Sequence, residues 1–475
     1  MQNDRPLIVD LDGTLVRSDM LVESAFAYFR RYPFQCLAPV TWLLGGKANL
    51  KAKLAAVVQI EAASLPYDKN IIAFLEREKA AGRTLILATA SHQNYAEAIA
   101  AHLGFFDRVL ATHDNINLSA STKRDVLVRE YGEKGFDYIG NSRDDLKVWA
   151  VAQQAYLANP ELGVETAAER LGNVTQVIRT PAQAWRGWIK QLRLHQWAKN
   201  ALLFVPLLAS HRVGEIDLLF TGLLAFLLFG LCASSVYLLN DLLDLEDDRQ
   251  HASKRSRPLA SGAVSIKTAL LVFPLLLLTT FTLSAWLLPW KFTLALASYY
   301  ALTLAYSLVL KRIMTVDVIT LAMLYTVRIV AGTFAFGVAL TFWMLAFSMF
   351  LFLSLALVKR YAELREYRSK EKTGLTRGRG YYPGDLEMIA ALGAASGYLA
   401  VMVLALYIQD QSTLVLYSHP QVIWLACPLL LYWITRTWMI AHRGWMDDDP
   451  VVFAMKDRNS LLVGVLFAAV FWFAS

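Results

Sequence analysis

Cysteine is nearly absent: Cys36, Cys232 and Cys427 are the only three in 475 residues, and they lie far apart. That spacing excludes both a thiolate metal set and a disulfide framework, and the two that fall inside apolar runs read as packing residues. Charge is also scarce, 18% of the chain against 56% apolar residues. Such a balance describes lipid-facing helices, and without a basic domain or a recognition motif no nucleic-acid partner is expected. The first 190 residues lack any apolar run near the length that crosses a bilayer, so they read as a soluble domain ahead of a membrane domain, with a boundary near Pro181. The opening Met-Gln-Asn-Asp-Arg-Pro has neither the basic start nor the apolar stretch of a secretory signal. The front domain is therefore expected in the cytoplasm.

What is present after residue 198 is a series of nine apolar segments, near 199–211, 217–240, 268–288, 291–310, 316–336, 341–358, 386–408, 421–441 and 459–475. Loops on one side concentrate Lys and Arg, while those on the other hold only Arg212 and Lys291. Positive charge marks the cytoplasmic side, which places the loops after 240, 310, 358 and 441 there and implies one cytosol-facing site in an inner, cytoplasmic membrane. The net charge of +7 arises in those loops and suits anionic lipid and phosphate ligands.

The stretch Asn240, Asp241, Asp244, Asp248 stands where the second segment leaves the membrane. At 100° per residue, Asp241, Asp244 and Asp248 fall within about 60° of one another on a helix, and Glu246 points the opposite way. No Lys or Arg lies between Asp241 and Asp248. Three convergent carboxylates suit a divalent cation with hard oxygen ligands, and such a cation brings a diphosphate. The plainer reading is a solvated helix end that stops the span. Upstream, Trp185, Trp188, Ile189 and Leu192 recur at helical spacing opposite Arg186, Lys190 and Arg193, as in an interfacial helix; packing on the soluble domain is the other reading.

Near the start, Leu7-Ile8-Val9-Asp10-Leu11-Asp12-Gly13-Thr14-Leu15 is a strand-like run ending in two carboxylates and a Gly-Thr turn. It resembles the first motif of the haloacid dehalogenase superfamily. The resemblance implies an α/β Rossmann-like phosphatase domain over 1–180, with a helical cap near 16–75 in which Pro33 to Leu44 touches lipid. Asp10 is then the nucleophile, Asp12 the acid/base, Thr89 the phosphate-binding hydroxyl and Lys123 the charge-balancing lysine. Mg²⁺ is expected on Asp10, Asp12, Asn141 and Asp145, although Asn141 replaces the usual acid, with Asp144 as a stand-in partner for Asp145. Both a working phosphatase and a degenerate structural domain fit this departure.

Residues 240–248 match the Asn-Asp-x-x-Asp-x-x-x-Asp motif of the UbiA superfamily, and His195-Gln196-Trp197-Ala198-Lys199-Asn200 resembles its entry helix. The resemblance implies an all-α bundle of nine transmembrane helices over 198–475, joined by an interfacial linker at 181–197, with Mg²⁺ on Asp241, Asp244 and Asp248. The superfamily's second acidic cluster is reduced here to Tyr306, Lys311 and a lone Asp317, while cations stand in its place: Lys254, Arg255, Arg257, Lys311, Arg328, Lys359 and Arg360, with Lys199 and Asn240 nearby in the motifs. Arg forks suit phosphate oxygens. These stretches, with the 449–457 loop, are similar to the decaprenyl-phosphate phosphoribosyltransferases, which begin decaprenylphosphoryl-arabinose synthesis. Implied is attack of a polyprenyl phosphate on C1 of phosphoribosyl diphosphate, followed by removal of the 5-phosphate by the front domain. The plainer readings are positive-inside anchoring for Lys254 to Arg257 and snorkelling for Lys359 and Arg360; Arg328, twelve residues into a span, needs a polar partner. The 449–458 loop also reads as a solvated turn. An aromatic prenyltransferase with a regulatory front domain and a transporter-like lipid scaffold remain alternatives, and homo-oligomerisation is left open.

Overall fold

The computed structural model describes residues 5–32, 34–35, 37–113, 117–180, 184–251, 254–369, 374, 380–410, 417–446 and 449–474. Pro33, Cys36, the boundary at Pro181 and Asp447 lie outside the described residues, as does most of 370–379. Two compact units form: Met1–Leu192 with Tyr237–Pro274, and Arg193–Val236 with Leu275–Ser475. The Asp-rich segment, assigned by sequence to the membrane half, thus groups with the front domain.

In the first unit, strands β1 (Leu7–Val9), β2 (Leu85–His92), β3 (Arg108–Thr112), β4 (Asp137–Gly140), β5 (Ala155–Ala158) and β6 (Val174–Ile178) form one sheet in the order β3-β2-β1-β4-β5-β6. All pairings are parallel. A parallel sheet is covered on both faces, so its strands are near-continuous apolar runs. Leu7 and Val9 face one core with Leu85, Leu87 and Phe74, while Ile8 faces the other with Ile86, Tyr138 and Trp149. The central strand β1 delivers Asp10 to the carboxyl edge, where ligands of open α/β sheets bind. Between β1 and β2, where a cap is expected, helices Met20–Arg31, Ala38–Leu44 and Lys47–Val57 pack around Tyr28, Trp42 and Leu54. Of the cap stretch expected to touch lipid, Phe34, Leu37 and Leu44 are exposed.

Also in this unit, the Ile216–Leu243 helix ends and Asp244 (φ −97°, ψ 12°) caps a new helix, Leu245–Gln250. Leu238, Leu242, Leu245, Leu259 and Val264 pack there with Val22 and Phe26 of the first cap helix and Trp188 of the Ala184–Gln191 helix. A buried ion pair completes this packing: Arg249 donates to both oxygens of Glu23 at 2.5 and 2.7 Å. The linker helix therefore buries one face on the Asp-rich segment and leaves Trp185 and Ile189 exposed.

The second unit is helical. Its Val316–Phe336 helix is the most enclosed of the spans, and Gly332 makes this possible on one side, because a Cβ there would stand 2.1 Å from the Leu203 carbonyl oxygen. Among the described residues, six helices are long and apolar enough to cross a membrane, or seven if the pair Pro450–Lys456 and Arg458–Ala474, bent by 82°, is one span. The nine expected spans are not reached among the described residues. The segment near 199–211 is a tight 3₁₀ run, Leu194–Phe204, followed by the five-residue helix Val205–Ala209 with Pro206 in its first turn. The Trp290–Leu308 helix is long enough, but Lys291 together with its Thr, Ser and Tyr residues makes it more polar than the six.

Candidate active sites

At the end of β1, the Asp10 amide donates to the Ile139 carbonyl at 3.0 Å, tying the Asp10 backbone to β4. Lys123, buried on the Ala120–Tyr131 helix, donates to Asp10 Oδ1 at 2.6 Å and to the Tyr138 hydroxyl at 3.0 Å. Asp12 accepts from the Met20 amide at 2.8 Å and from Ser91 Oγ at 2.6 Å. Burial pushes the Asp10 carboxyl up to about 7 against the pull of Lys123. The Asp12 carboxyl is raised to about 6 by burial and by the charge of Asp19. Thr89 is fully buried on β2, and its Oγ1 accepts from the Ser91 amide at 3.0 Å where the β2–β3 register shifts. Asp10, Asp12, Thr89 and Lys123 are thus brought together.

Asn141 and Asp145 take different parts. Asn141 is pressed against the Gly13–Thr14 turn: Thr14 Oγ1 donates to its Oδ1 at 3.3 Å, and a Cβ on Gly13, which adopts φ +76°, would lie 2.4 Å from its amide nitrogen. Asp145 accepts from the Asn141 and Ser142 amides, the Ser142 hydroxyl and the Tyr138 hydroxyl, all at 2.7 to 3.0 Å. It braces the loop instead of offering an open oxygen for metal, and Asp144 is exposed. A further cation absent from the sequence reading is Lys51 of the cap, whose Nζ donates to the Ala90 carbonyl at 2.6 Å.

The Asp-rich segment departs from the expected one-sided face. The helix break at Asp244 interrupts the 100° progression, and among the described residues no three Asp, Glu, His or Cys side chains are gathered closely enough to hold a metal. Asp241 and Asp248 are held together by Arg257, whose Nη1 lies 3.2 and 2.6 Å from them. The cation paired with these acids comes from nine residues beyond the motif. Gln191, which the sequence reading missed, donates to Asp241 Oδ2 at 2.8 Å. Two buried oxygens here, Asn240 Oδ1 and Gln191 Oε1, have no hydrogen-bond partner. Carboxylates, an amide oxygen and vacant acceptors form a donor set whose chemistry fits Mg²⁺. Lys254 and Arg255 are exposed on a short 3₁₀ turn.

In the second unit, Arg328 is 4% exposed and held by Asn200 Oδ1 at 3.2 Å, the Tyr299 hydroxyl at 3.1 Å and the Leu324 carbonyl at 2.5 Å, with its guanidinium 4.9 Å from the Tyr299 ring centroid. Lys199 pairs with Asp449, and Lys359 lies 3.8 Å from the same carboxylate, which the Tyr325 hydroxyl reaches at 3.3 Å. Asp449, for which a solvated turn was one of two readings of the sequence, is buried, and its Oδ1 caps the Pro450–Lys456 helix. These residues converge because Arg328 and Tyr325 lie one turn apart on Val316–Phe336. Arg360 does not join them. It is 1% exposed and pairs with Asp317 at 2.7 Å and with Glu363, so the expected phosphate ligand is enclosed by its own carboxylates. Tyr381 donates to Asp317 at 2.5 Å, and Tyr306 lies within electrostatic reach of Arg360. Lys311 stands on the Leu310–Arg312 turn. A cavity of about 480 Å³ in this unit, lined by Arg436, Ile440, Arg443 and Trp445, contains none of the expected residues.

Comparison with known proteins gives two family matches, the UbiA prenyltransferase family over residues 201–473 and haloacid dehalogenase-like hydrolase over 7–149. An uncharacterized protein of Sinorhizobium fredii is 37% identical over 98% of this chain and 90% of that protein. Decaprenyl-phosphate phosphoribosyltransferase of Mycobacterium tuberculosis is 36% identical over 62% of this chain and 95% of its own length. Among solved structures, a UbiA homolog from Archaeoglobus fulgidus bound to GPP and Mg²⁺ aligns with a TM-score of 0.46 at 17% identity, covering 60% of this chain and 98% of that one.

Proposed function

Because the chain belongs to the UbiA prenyltransferase family and carries a haloacid dehalogenase-like hydrolase domain at its front, we propose that it transfers phosphoribosyl from phosphoribosyl diphosphate to a polyprenyl phosphate and then removes the 5-phosphate of the product. The first step joins a lipid phosphate oxygen to C1 of the ribose and breaks the bond from C1 to the diphosphate. Its substrate class follows the relative named decaprenyl-phosphate phosphoribosyltransferase. The observation that carries the two-step reading is that the Asp-rich segment and a complete Asp10, Asp12 and Lys123 set lie in one compact unit. A monoester left on the sugar is then released next to a phosphatase at high effective concentration.

Mg²⁺ would be held by Asp241, Asp244, Asp248 and Asn240 at the helix end, and by Asp10 with Asn141 in the hydrolase; bound there, it supplies charge neutralisation for diphosphate and phosphoryl oxygens. The chain's own groups do the rest. Arg257, bridging Asp241 and Asp248, is positioned to receive donor phosphate, and Lys254 and Arg255 extend the positive surface. Within the second unit, Lys199, Arg328 and Lys359 are the cations suited to a phosphate ligand, with Tyr306 and Lys311 at the end of the Trp290–Leu308 helix. In the hydrolase, an Asp10 oxygen attacks phosphorus as the bond to the sugar oxygen breaks; Asp12 gives that oxygen its proton and then takes one from the water that hydrolyses the acyl phosphate. Thr89 and Lys123 hold the phosphoryl oxygens. The chain is a multi-pass membrane protein; the basic loops support an inner-membrane location with both sites in the cytoplasm.

The test is mass spectrometry of lipids after purified protein receives polyprenyl phosphate, phosphoribosyl diphosphate and Mg²⁺. A polyprenyl-phosphoryl ribose without its 5-phosphate is expected. Transfer instead from a labelled prenyl diphosphate to an aromatic acceptor overturns the reading.

A further inference from the structure

We propose that Lys51 and Lys267 form a second anion subsite at the mouth of the hydrolase pocket, so that its substrate is a phosphomonoester bearing a further phosphate. This deepens, and rests on, the hydrolase reading above. The second phosphate is either the diester that ties a sugar to its lipid or a free phosphate on a soluble sugar.

Lys123 is committed inside the pocket, to Asp10 and Tyr138, and answers the phosphoryl group under attack. Lys51 and Lys267 are additional. Lys51 is half-buried on the Lys47–Val57 cap helix, and its ammonium donates to two neutral acceptors, the Ala90 carbonyl at 2.6 Å and Asn117 Oδ1 at 2.9 Å. Ala90 lies between Thr89 and Ser91, so this ammonium is fixed beside the phosphate-binding turn. Burial lowers its pKa from the ordinary lysine value. Among the described residues it has hydrogen bonds but no ion-pair partner. Asp12 and Asp19 lie within its electrostatic reach, yet its hydrogen bonds go to neutral groups, and a partly desolvated ammonium so placed gains from an arriving anion.

Lys267 approaches from the segment that follows the Asp-rich motif. Its Nζ lies 3.4 Å from Asp19 Oδ2, and it interacts electrostatically with Asp12 and Glu161. Asp19 caps the helix whose first amide, that of Met20, binds Asp12. The Glu161 amide donates to the Asn141 carbonyl at 2.9 Å. Lys267 is thus bracketed by the loops that ring the pocket, and its side chain is 59% exposed, open to a ligand. It stands in the first turn of Ile266–Leu287, a helix apolar enough to span a membrane. A lysine there sits at headgroup depth, where a lipid-linked phosphate is found.

The full-length protein, in detergent with Mg²⁺, is assayed on ribose 5-phosphate, ribose 1,5-bisphosphate and a short-chain polyprenyl-phosphoryl ribose 5-phosphate. The two substrates with a second phosphate are expected to exceed ribose 5-phosphate in kcat/KM by roughly ten-fold or more, through KM. Lys267→Gln and Lys51→Gln should each lower that ratio about ten-fold. Ribose 5-phosphate turnover by the same preparation shows that each variant is folded, and the exposed Lys267 variant serves if Lys51→Gln fails to fold. Equal gains for both doubly phosphorylated substrates mean that any second phosphate suffices; a gain for the lipid-linked one alone identifies the diester. A wild-type ratio near one, or a ratio unchanged in both variants, overturns the subsite while leaving the hydrolase intact. No hydrolysis of any of the three by wild type overturns the hydrolase reading, and the subsite with it.

Discussion

Asp10 and Asp12 end a strand, whereas Asp241, Asp244 and Asp248 end a helix, and the two ends treat a run of carboxylates differently. The strand β1 is clamped between β2 and β4, so the turn that directly follows it, with Asp10 and Asp12, leaves from a fixed point. Each acid there meets defined partners, Lys123 for Asp10 and Met20 with Ser91 for Asp12. A helix end has no such clamp, because its last carbonyls lack intrahelical partners. Asp244 leaves the helical conformation, and Asp241 and Asp248 are brought together by Arg257 instead. A motif at a clamped strand end carries its geometry with it, while a motif at a helix end takes its geometry from what packs around it.

The comparison breaks most sharply on the strand side. Asp10→Asn should lower phosphomonoester hydrolysis by a factor on the order of 10³ or more and leave lipid transfer running, so that the 5-phosphorylated lipid accumulates in product mass spectra. Loss of both activities together would mean that Asp10 supports the fold of the whole unit. At the helix end, Asp241→Ala should reduce transfer by roughly 10² or more, with normal membrane insertion and purification. Near-normal turnover would remove the Asp-rich segment from the site.

Packing partners provide the next test. Glu23 and Arg249 have side chains 7% and 3% exposed, so Glu23→Ala leaves a buried guanidinium without its carboxylate. Removing one partner of such a pair costs about 3 to 5 kcal/mol, and thermal unfolding should show the loss, with Glu23→Leu combined with Arg249→Met recovering most of it. An unchanged melting temperature would show that the cap helix does not support the Asp-rich segment. Arg257→Ala should raise the KM for phosphoribosyl diphosphate about ten-fold; unchanged kinetics with altered topology would make it a membrane anchor. The smallest effect concerns pH. Asp12 must be protonated to release the sugar oxygen, and its carboxyl is raised to about 6 by burial. Hydrolysis should therefore fall as pH rises through about 6, approaching ten-fold per unit, and Asp12→Asn should flatten that limb.

Much of the hydrolase was legible because its motifs end strands whose apolar runs announce them: Asp10, Thr89 and Asn141 all follow such runs. Lys51 was not legible, since nothing in Lys47–Val57 distinguishes it from the neighbouring cap lysines until the cap folds over Ala90. Arg360 misled because a cation at the end of an apolar run looks like a phosphate ligand, while its partner Asp317 lies 43 residues earlier in the sequence. The sequence leaves Asp449 open between a solvated turn and a site residue because the two lysines it joins, Lys199 and Lys359, are far from it in the chain.

By itself the sequence determined the division into a charged front half and an apolar back half, because composition responds to burial alone, while the α/β domain and the parts given to Asp10 and Asp12 rest on the resemblance of one short motif to the haloacid dehalogenase superfamily. Only the tertiary structure decided that the Asp-rich segment packs with the front domain through Glu23 and Arg249, that Arg257 joins Asp241 to Asp248, and that Asp449 is buried between two lysines. Those are pairings of charges distant in sequence, whose desolvation is offset only when particular partners meet in the folded chain.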